Sequence, residues 1–190
     1  MKVIFTFIFV FMFSISSYAD SFFNKFMFDG HKSANSETAV DYISYKLNPK
    51  FPKSVTIKQD KVKISGENFM IITFYYSEYD GATRGSSQYF ISFWKDYKDH
   101  IVCVGSNILN IYSPVLSLYN NIITIKGKRQ YEPLSVYNYS FIYENNNFYF
   151  YNILSITEDA DKNVTYKYYF KPEDKKVNIK SIYADEFIKE

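Results

Sequence analysis

Two aromatic runs joined by three asparagines stand out in the second half of the chain, where residues 136–156 are VYNYSFIYE, NNN and FYFYNILSI. In the first run, alternate positions hold large aromatic rings: Tyr137, Tyr139, Phe141 and Tyr143. The positions between them are Val136, Asn138, Ser140 and Ile142. Such alternation is typical of a β-strand with one buried and one wet face. Because asparagine tolerates positive φ, residues 145–147 predict a three-residue hairpin loop between two antiparallel strands.

The same kind of pattern extends over most of the chain. From Val55 onward, runs rich in β-branched and aromatic residues are separated by Gly, Pro, Asn and Asp. Residues 69–79 are apolar on both faces, which is typical of a central strand covered on both sides. Residues 164–170 alternate again, with Val164, Tyr166, Tyr168 and Phe170 on one face. We expect roughly eight to ten strands, joined mainly as antiparallel hairpins.

One segment before the strands has the spacing of a helix. Ser36 can serve as its N-cap, Glu37 suits the first turn, and Pro49 ends the run. Apolar residues recur at helical intervals between these positions, at Val40, Ile43 and Leu47. The sequence therefore predicts an α+β, mainly β fold: an antiparallel meander of hairpins with one N-terminal helix packed on the sheet.

The N-terminus has the three parts of a secretory signal peptide. Lys2 precedes an apolar run over residues 3–13, which is too short to span a bilayer, and Ser17-Tyr18-Ala19 fits the small-x-small pattern of a cleavage site. We expect cleavage between Ala19 and Asp20. Residues 1–19 are then the signal peptide and residues 20–190 a single globular domain. The expected location is periplasmic or secreted, with no stable membrane anchor after cleavage.

Charge and cysteine content narrow the range of partners. The formal net charge is +2, and only Arg84 and Arg129 are arginines. This balance gives no electrostatic reason to expect nucleic acid as a partner. Cys103 is the only cysteine, so an intramolecular disulfide is impossible. Its apolar neighbours predict a small buried side chain, while an intermolecular disulfide or a reactive thiol stays open.

Residues that could catalyse a reaction or hold a metal are scarce. His31 and His100 are the only histidines, and no nucleophile motif accompanies them. Ser92 and Lys95 match the S-x-x-K pattern, but in a strand they would point to opposite sides. Closed zinc-ligand spacing is missing as well. We therefore expect no catalytic residues, no cofactor and no metal.

Residues 158–163 match the opening of a calcium loop, with Asp159, Asp161 and Asn163 at alternate positions. An EF-hand would need Gly at Val164 and Glu at Phe170. A polar hairpin turn is the better interpretation, and weak calcium binding at Asp159 and Asp161 stays open.

Aromatic content is the compositional feature that suggests a function. Aromatic residues make up 21% of the chain, and tyrosine outnumbers phenylalanine. Tyrosine favours half-wet sites such as grooves and interfaces because its large ring ends in a polar hydroxyl. The candidate binding surface comprises Tyr137, Tyr139, Tyr143, Tyr149 and Tyr151. We expect a non-catalytic domain that binds another protein, in the manner of an inhibitor or an immunity protein.

Two other classes stay open. Alternating strands with aromatic residues are also a signature of a small outer-membrane β-barrel, although lysines scattered among the strands argue against it. A hydrolase could rely on carboxylates such as Asp96, Asp99 or Glu78. The sequence does not specify the partner or the oligomeric state.

Overall fold

A computed structural model describes residues 28, 30–47, 55–77, 87–129 and 132–188 of the chain. The signal-peptide prediction for residues 1–19 lies outside these residues. The helix α1 is Ser36–Leu47, and a 3-10 helix covers Ala184–Ile188. The strands are β1 Lys32–Ser33, β2 Val55–Ile64, β3 Glu67–Ser77, β4 Ser87–Asp96, β5 Ile101–Leu109, β6 Tyr112–Tyr119, β7 Ile122–Arg129, β8 Glu132–Glu144, β9 Asn147–Glu158, β10 Val164–Phe170 and β11 Val177–Asn178.

The described strands form two antiparallel sheets. The first sheet has the order β1-β5-β4-β3-β2, and the second has the order β10-β9-β8-β7-β6, with β11 also pairing with β9. Most neighbours in space are neighbours in sequence, because short turns connect them as hairpins. The predicted mainly β, α+β fold with one helix is confirmed. Its strands divide between two sheets.

Tight turns set the register of three hairpins. In each, both central residues have positive φ, as in a type I′ turn. These pairs are Ser65 with Gly66, Asn120 with Asn121, and Asn145 with Asn146. Asn147 is therefore the first residue of β9, paired with Glu144. The prediction of a three-residue loop is corrected to a two-residue turn, because two residues at positive φ already match the twist of the strands.

The two sheets pack face to face around a largely aromatic core. The rings of Phe93 in the first sheet and Phe148 in the second are stacked with centroids 4.0 Å apart. Phe69 and Ile71 of β3 face this core, whereas Met70 and Ile72 face the helix. The two-sided apolar pattern of β3 is thus explained by a layer on each side. The order of layers is helix, first sheet, second sheet.

The helix is placed by its N-cap and by a few buried side chains. The Thr38 N–H donates to Asn35 Oδ1 at 2.9 Å, and the Asn35 N–H donates to Thr38 Oγ1 at 3.1 Å. Asn35 is therefore the N-cap instead of Ser36, because its side chain reaches the free N–H groups of the first turn. Ala39 and Ile43 are fully buried against the first sheet.

Candidate binding surface

The structure separates the five tyrosines of the candidate surface. Tyr137, Tyr139 and Tyr143 lie in the core between the two sheets and are at most 6% exposed. A partner cannot contact these three rings in this fold, so they are removed from the candidate surface. Their side of β8 is the buried side because it faces the first sheet. Tyr149 and Tyr151 of β9 are half-buried.

The three buried tyrosines complete polar networks inside the protein. The Tyr139 hydroxyl donates to Asp185 Oδ1 at 3.0 Å, and the Tyr143 hydroxyl donates to Asn146 Oδ1 at 3.0 Å. The Tyr137 hydroxyl donates to the carboxylate of Glu132. Burial raises the pKa of Tyr139 well above its usual range. A hydroxyl held neutral and bonded in this way is structural.

The opposite side of the second sheet forms what we call the outer face. It is defined by strand register: Val115 lies opposite Lys126 on β7, Lys126 opposite Asn138 on β8, and Asn138 opposite Leu154 on β9. Leu154 in turn lies opposite Tyr168 on β10. The residues of the outer face are Val115, Ser117, Tyr119, Ile122, Thr124, Lys126, Lys128, Val136, Asn138, Ser140, Ile142, Glu144, Asn147, Tyr149, Asn152, Leu154, Ile156, Glu158, Val164, Tyr166 and Tyr168. None of them belongs to either hydrophobic core cluster of the described residues.

Two asparagines at the centre of the outer face lack hydrogen-bond partners for their amide oxygens. Asn138 is 9% exposed, and the Oδ1 atoms of Asn138 and Asn152 are both buried without a partner. Asn138 lies opposite Leu154 and Asn152 lies opposite Ser140, so the two asparagines are diagonal neighbours on adjacent strands. Their separation is on the order of 7 Å. Each unpaired oxygen costs the free protein about 1–3 kcal/mol.

Ser140, which lies opposite Asn152 on the same face, differs from the two asparagines because its hydroxyl has a partner. Ser140 Oγ lies 3.0 Å from Thr124 Oγ1 on β7, so these two hydroxyls satisfy each other. The two asparagine oxygens are therefore the side-chain acceptors on this part of the face that no donor among the described residues satisfies.

Exposed lysines on β7, exposed Glu158 at the end of β9 and exposed tyrosines surround this polar centre. Lys126 and Lys128 on β7 are exposed, and neither forms an ion pair with a carboxylate among the described residues. At the margins of the sheet, Tyr119 is 77% exposed and Tyr166 is 59% exposed. Large amphipathic rings that remain in contact with water are typical of protein interfaces.

Strand β10 forms one edge of the second sheet, and every residue from Val164 to Tyr168 is exposed. At its start, the Asp159 N–H donates to the Asn163 carbonyl at 3.1 Å, so these two residues form a hydrogen-bonded pair. Such pairs alternate along an antiparallel ladder, which makes Thr165 and Lys167 the next residues bonded to β9. The backbone groups that point away from the sheet therefore belong to Val164, Tyr166 and Tyr168.

The catalytic alternatives find no assembled site among the described residues. Ser92 Oγ is buried and donates to the Ile72 carbonyl at 3.0 Å, on the helix side of β4. Lys95, on the opposite side, bonds Glu67 Oε1 at 2.7 Å. Asp96 is exposed at the end of β4, Asp99 is exposed on the turn that follows, and Glu78 lies outside the described residues. His100 bonds its neighbour Asp99 at 2.7 Å on this exposed turn.

The calcium-like segment is a turn stabilised by its first aspartate. Asp159 Oδ1 accepts from the Asp161 N–H at 2.9 Å and from the Asn163 N–H at 2.8 Å. The Asn163 side-chain amide also donates to Asp159 Oδ2 at 3.0 Å. This bond, followed by the backbone bonds, lowers the pKa of Asp159. In the part of the chain that the structure describes, no three His, Cys, Asp or Glu side chains come together as a metal site requires. Cys103 is buried, as its apolar neighbours predicted.

A cleft of about 310 Å³ opens between the margins of the two sheets. Its described lining contains Thr73, Tyr75 and Tyr89 from the first sheet and Pro114 and Leu116 from the second. Burial raises the pKa of Tyr89. The described lining holds no histidine, cysteine or carboxylate that could attack a substrate or activate water.

The candidate surface predicted from the sequence did not include the asparagines of the outer face or the tyrosines of β10. Asn138 is part of the alternating pattern of residues 136–144. Its unpaired oxygen depends on burial, and alternation does not reveal whether a side chain is buried. Tyr166 and Tyr168 carried a usable signal, because the last long strand of a meander is commonly an edge strand.

Within the described residues, no helix combines the length and the apolar character needed to cross a bilayer. Comparison of the chain with known protein families, with curated proteins and with solved structures gives no match.

Proposed function

We propose that the chain is an exported, non-catalytic binding protein whose outer face docks on another protein, in the manner of an inhibitor or an immunity protein. The observation that carries this proposal is the pair of unpaired amide oxygens at Asn138 and Asn152. A free sheet face gains nothing from such groups, because each costs stability while unpaired. A partner that presents hydrogen-bond donors removes this cost on binding.

The surroundings of the asparagines indicate the chemistry of the partner. Lys126 lies directly opposite Asn138, and Lys128 lies next to it along the same face. A partner surface that carries carboxylates over β7 and donors over β8 and β9 complements this arrangement. The exposed rings of Tyr119 and Tyr166 at the margins supply amphipathic contacts.

The extent of the face favours a protein over a saccharide. Five strands at about 4.8 Å spacing give a width of about 20 Å. A face of this width suits a protein interface of standard size, which buries about 800 Å² on each partner. The exposed apolar residues lie at both margins of the sheet, with Val115 on one side and Val164 on the other.

Export is the second part of the proposal and rests on residues 1–19. Lys2, the apolar run and the small residues before Asp20 support removal of this segment during translocation. N-terminal sequencing of the chain recovered from the periplasm or the medium is expected to begin at Asp20. Recovery from the cytoplasm with Met1 still present contradicts export.

The test of partner binding uses charge reversal with a matched control. The purified chain is immobilised and exposed to the exported proteins of its source. We expect one stoichiometric partner whose capture is lost with Lys126→Glu and retained with Lys61→Glu. Lys61 is an exposed lysine on β2 of the first sheet, away from the outer face. Equal capture by both variants, or capture of nothing, contradicts the proposal.

A second substitution separates recognition from folding. Asn138→Val removes a buried amide oxygen without a partner, so the free chain should unfold at a higher temperature. The same change should weaken partner binding about 10-fold or more, because the bound donor loses its acceptor. If Asn138 had only a structural role, this substitution would not both raise the unfolding temperature and weaken partner binding. Binding of oligosaccharides by the parent chain and not by Asn138→Val would assign the face to a saccharide and contradict a protein partner.

A further inference from the structure

The edge of β10 has little of the protection that edge strands usually carry. Edge strands commonly block pairing with charged side chains, prolines or bulges. Over Val164 to Tyr168, β10 has one charged residue, Lys167, and no proline. Lys167 Nζ lies 4.9 Å from the centroid of the Tyr169 ring, so this lysine folds back onto its own strand. A break in register between Tyr168 and Phe170 limits the regular edge to residues 164–168.

We propose that two copies of the chain pair antiparallel through β10, with the two-fold axis at Tyr166. The outward backbone groups of Val164, Tyr166 and Tyr168 are evenly spaced, so the edge complements a second copy of itself. The two proposals share Tyr166 but are tested at different groups: partner binding at the side chains of Lys126 and Asn138, and dimer formation at the backbone edge of β10.

A two-fold axis at any of the five residues 164–168 places outward groups opposite each other, and side-chain and backbone chemistry select one of these five registers. An axis at Val164 or at Tyr168 pairs only the outward groups of that one residue among these residues. With the axis at Tyr166, Val164 pairs with the partner's Tyr168, and all three outward residues of each copy form backbone bonds. Shifting the axis to Lys167 places that lysine opposite the partner's Lys167, which is repulsive. Shifting it to Thr165 leaves the outward groups of Tyr168 without a partner among these residues. The register centred on Tyr166 is therefore preferred.

In this register Tyr166 lies opposite the partner's Tyr166, and Thr165 lies opposite the partner's Lys167. Cross-strand aromatic pairs stabilise a sheet, and a hydroxyl opposite an ammonium group brings no like-charge conflict. The full chain has a formal net charge of only +2, so overall repulsion between copies is small. The second sheets of the two copies join into one, and their outer faces become continuous.

The register gives Thr165 a diagnostic role. Thr165→Glu places two carboxylates opposite the lysines of the other copy, one at each end of the two-fold axis. Thr165→Lys places two lysines there instead. At low salt we expect the dissociation constant of the dimer to fall about 2- to 10-fold with Thr165→Glu and to rise by a similar factor with Thr165→Lys. Thr165→Gln is the neutral reference. Sedimentation equilibrium of the purified chain measures all three.

Two proline variants test the role of the backbone. The N–H of Tyr166 points away from the sheet, so Tyr166→Pro should keep the fold and abolish the dimer. The N–H of Thr165 points towards β9, so Thr165→Pro should weaken the fold itself. Circular dichroism and thermal unfolding distinguish the two cases.

A chain that stays monomeric up to about 100 µM overturns the proposal. So does a dimer whose dissociation constant responds equally to Thr165→Glu and Thr165→Lys, because that dimer uses another surface. Loss of partner capture with a persistent dimer, or the reverse, separates this proposal from the proposed function.

Discussion

The side-chain amide of Asn107 donates a 2.9 Å hydrogen bond to the carbonyl of Ile179, which lies 72 residues later in the chain. It also donates to the Ile182 carbonyl at 3.0 Å, and its Oδ1 accepts from the Ala184 N–H at 3.0 Å. Asn107 is fully buried in β5 of the first sheet. β11 extends the second sheet, whereas the side chain of Asn107 bonds the residues after β11 to the first sheet. The C-terminal segment is therefore attached to both sheets.

Asn107→Ala should lower the free energy of unfolding by about 3 kcal/mol, because it removes these three bonds and a fourth from the Ile108 N–H to Asn107 Oδ1, and leaves buried carbonyls unpaired. Chemical denaturation measures this loss. Amide exchange should accelerate most at the 3-10 helix Ala184–Ile188. Asn68→Ala, at an exposed position of β3, is the control and should change stability little. An equal loss in the two variants would contradict the role of Asn107.

The ion pair of Glu67 and Lys95 should make stability depend on pH. The bond from Lys95, followed by the nearby Tyr143 hydroxyl, lowers the pKa of Glu67. Burial opposes the charge of Lys95, but bonds to Glu67 and Tyr143 outweigh it and raise the pKa of Lys95. The stability that charged Glu67 contributes to the fold is therefore fully present above the ordinary pKa of a glutamate. It is lost as the pH falls through the lowered pKa of Glu67.

Glu67→Gln measures this contribution. At neutral pH it should cost about 1 kcal/mol, and the difference from the parent chain should shrink as the solution is acidified below about pH 4.5. Unfolding by urea across a pH series checks both. A difference that stays constant down to strong acid would show that the charge of Glu67 does not contribute.

Two glycines in the strands should differ in their tolerance of alanine. A Cβ on Gly127 would lie 2.9 Å from the Cβ of Ile111 and 3.1 Å from the Tyr112 carbonyl oxygen, neither of which can turn aside. At Gly105 the nearest atom is the flexible end of Ile179, at 2.5 Å. Gly127→Ala should cost about 2–3 kcal/mol, and Gly105→Ala should cost less because Ile179 can change rotamer. Thermal unfolding gives the order, and the reverse order contradicts this packing.

Asn138→Val should raise the free energy of unfolding by about 1 kcal/mol, because it removes an unpaired buried oxygen and adds a residue that favours strands. Asn68→Val makes the same change at an exposed strand position, where only the strand preference contributes. The gain at Asn138 should exceed the gain at Asn68. Equal gains would mean that the Asn138 oxygen is solvated.

Much of the fold follows from period-two patterns and turn residues. The alternation in β8, the two-sided apolar pattern of β3 and the spacing of α1 each predicted the observed element. Alternation identifies the two faces of a strand without saying which is buried. The tyrosines of β8 were therefore placed on the wrong side: the aromatic face packs against the first sheet, and the mixed face of Asn138 and Ser140 points outward.

The division into two sheets was not predictable from local patterns. It depends on where β5 ends and β6 begins, and the apolar stretch around Pro114 has no clear turn signal. The C-terminal segment is similar, because its attachment depends on Asn107, far away in sequence. Such long-range bonds leave no periodic trace.

The central claim is that the outer face binds a protein partner, and the side-chain amide signals of Asn138 and Asn152 in an NMR titration test it most directly. On addition of the captured partner, these two signals should shift together with backbone signals of β7 to β9. The shifts should reach saturation at a stoichiometric ratio of partner to chain. The signals of α1 should stay in place. Shifts confined to α1 and the first sheet, with both asparagine amides unchanged, would contradict the account.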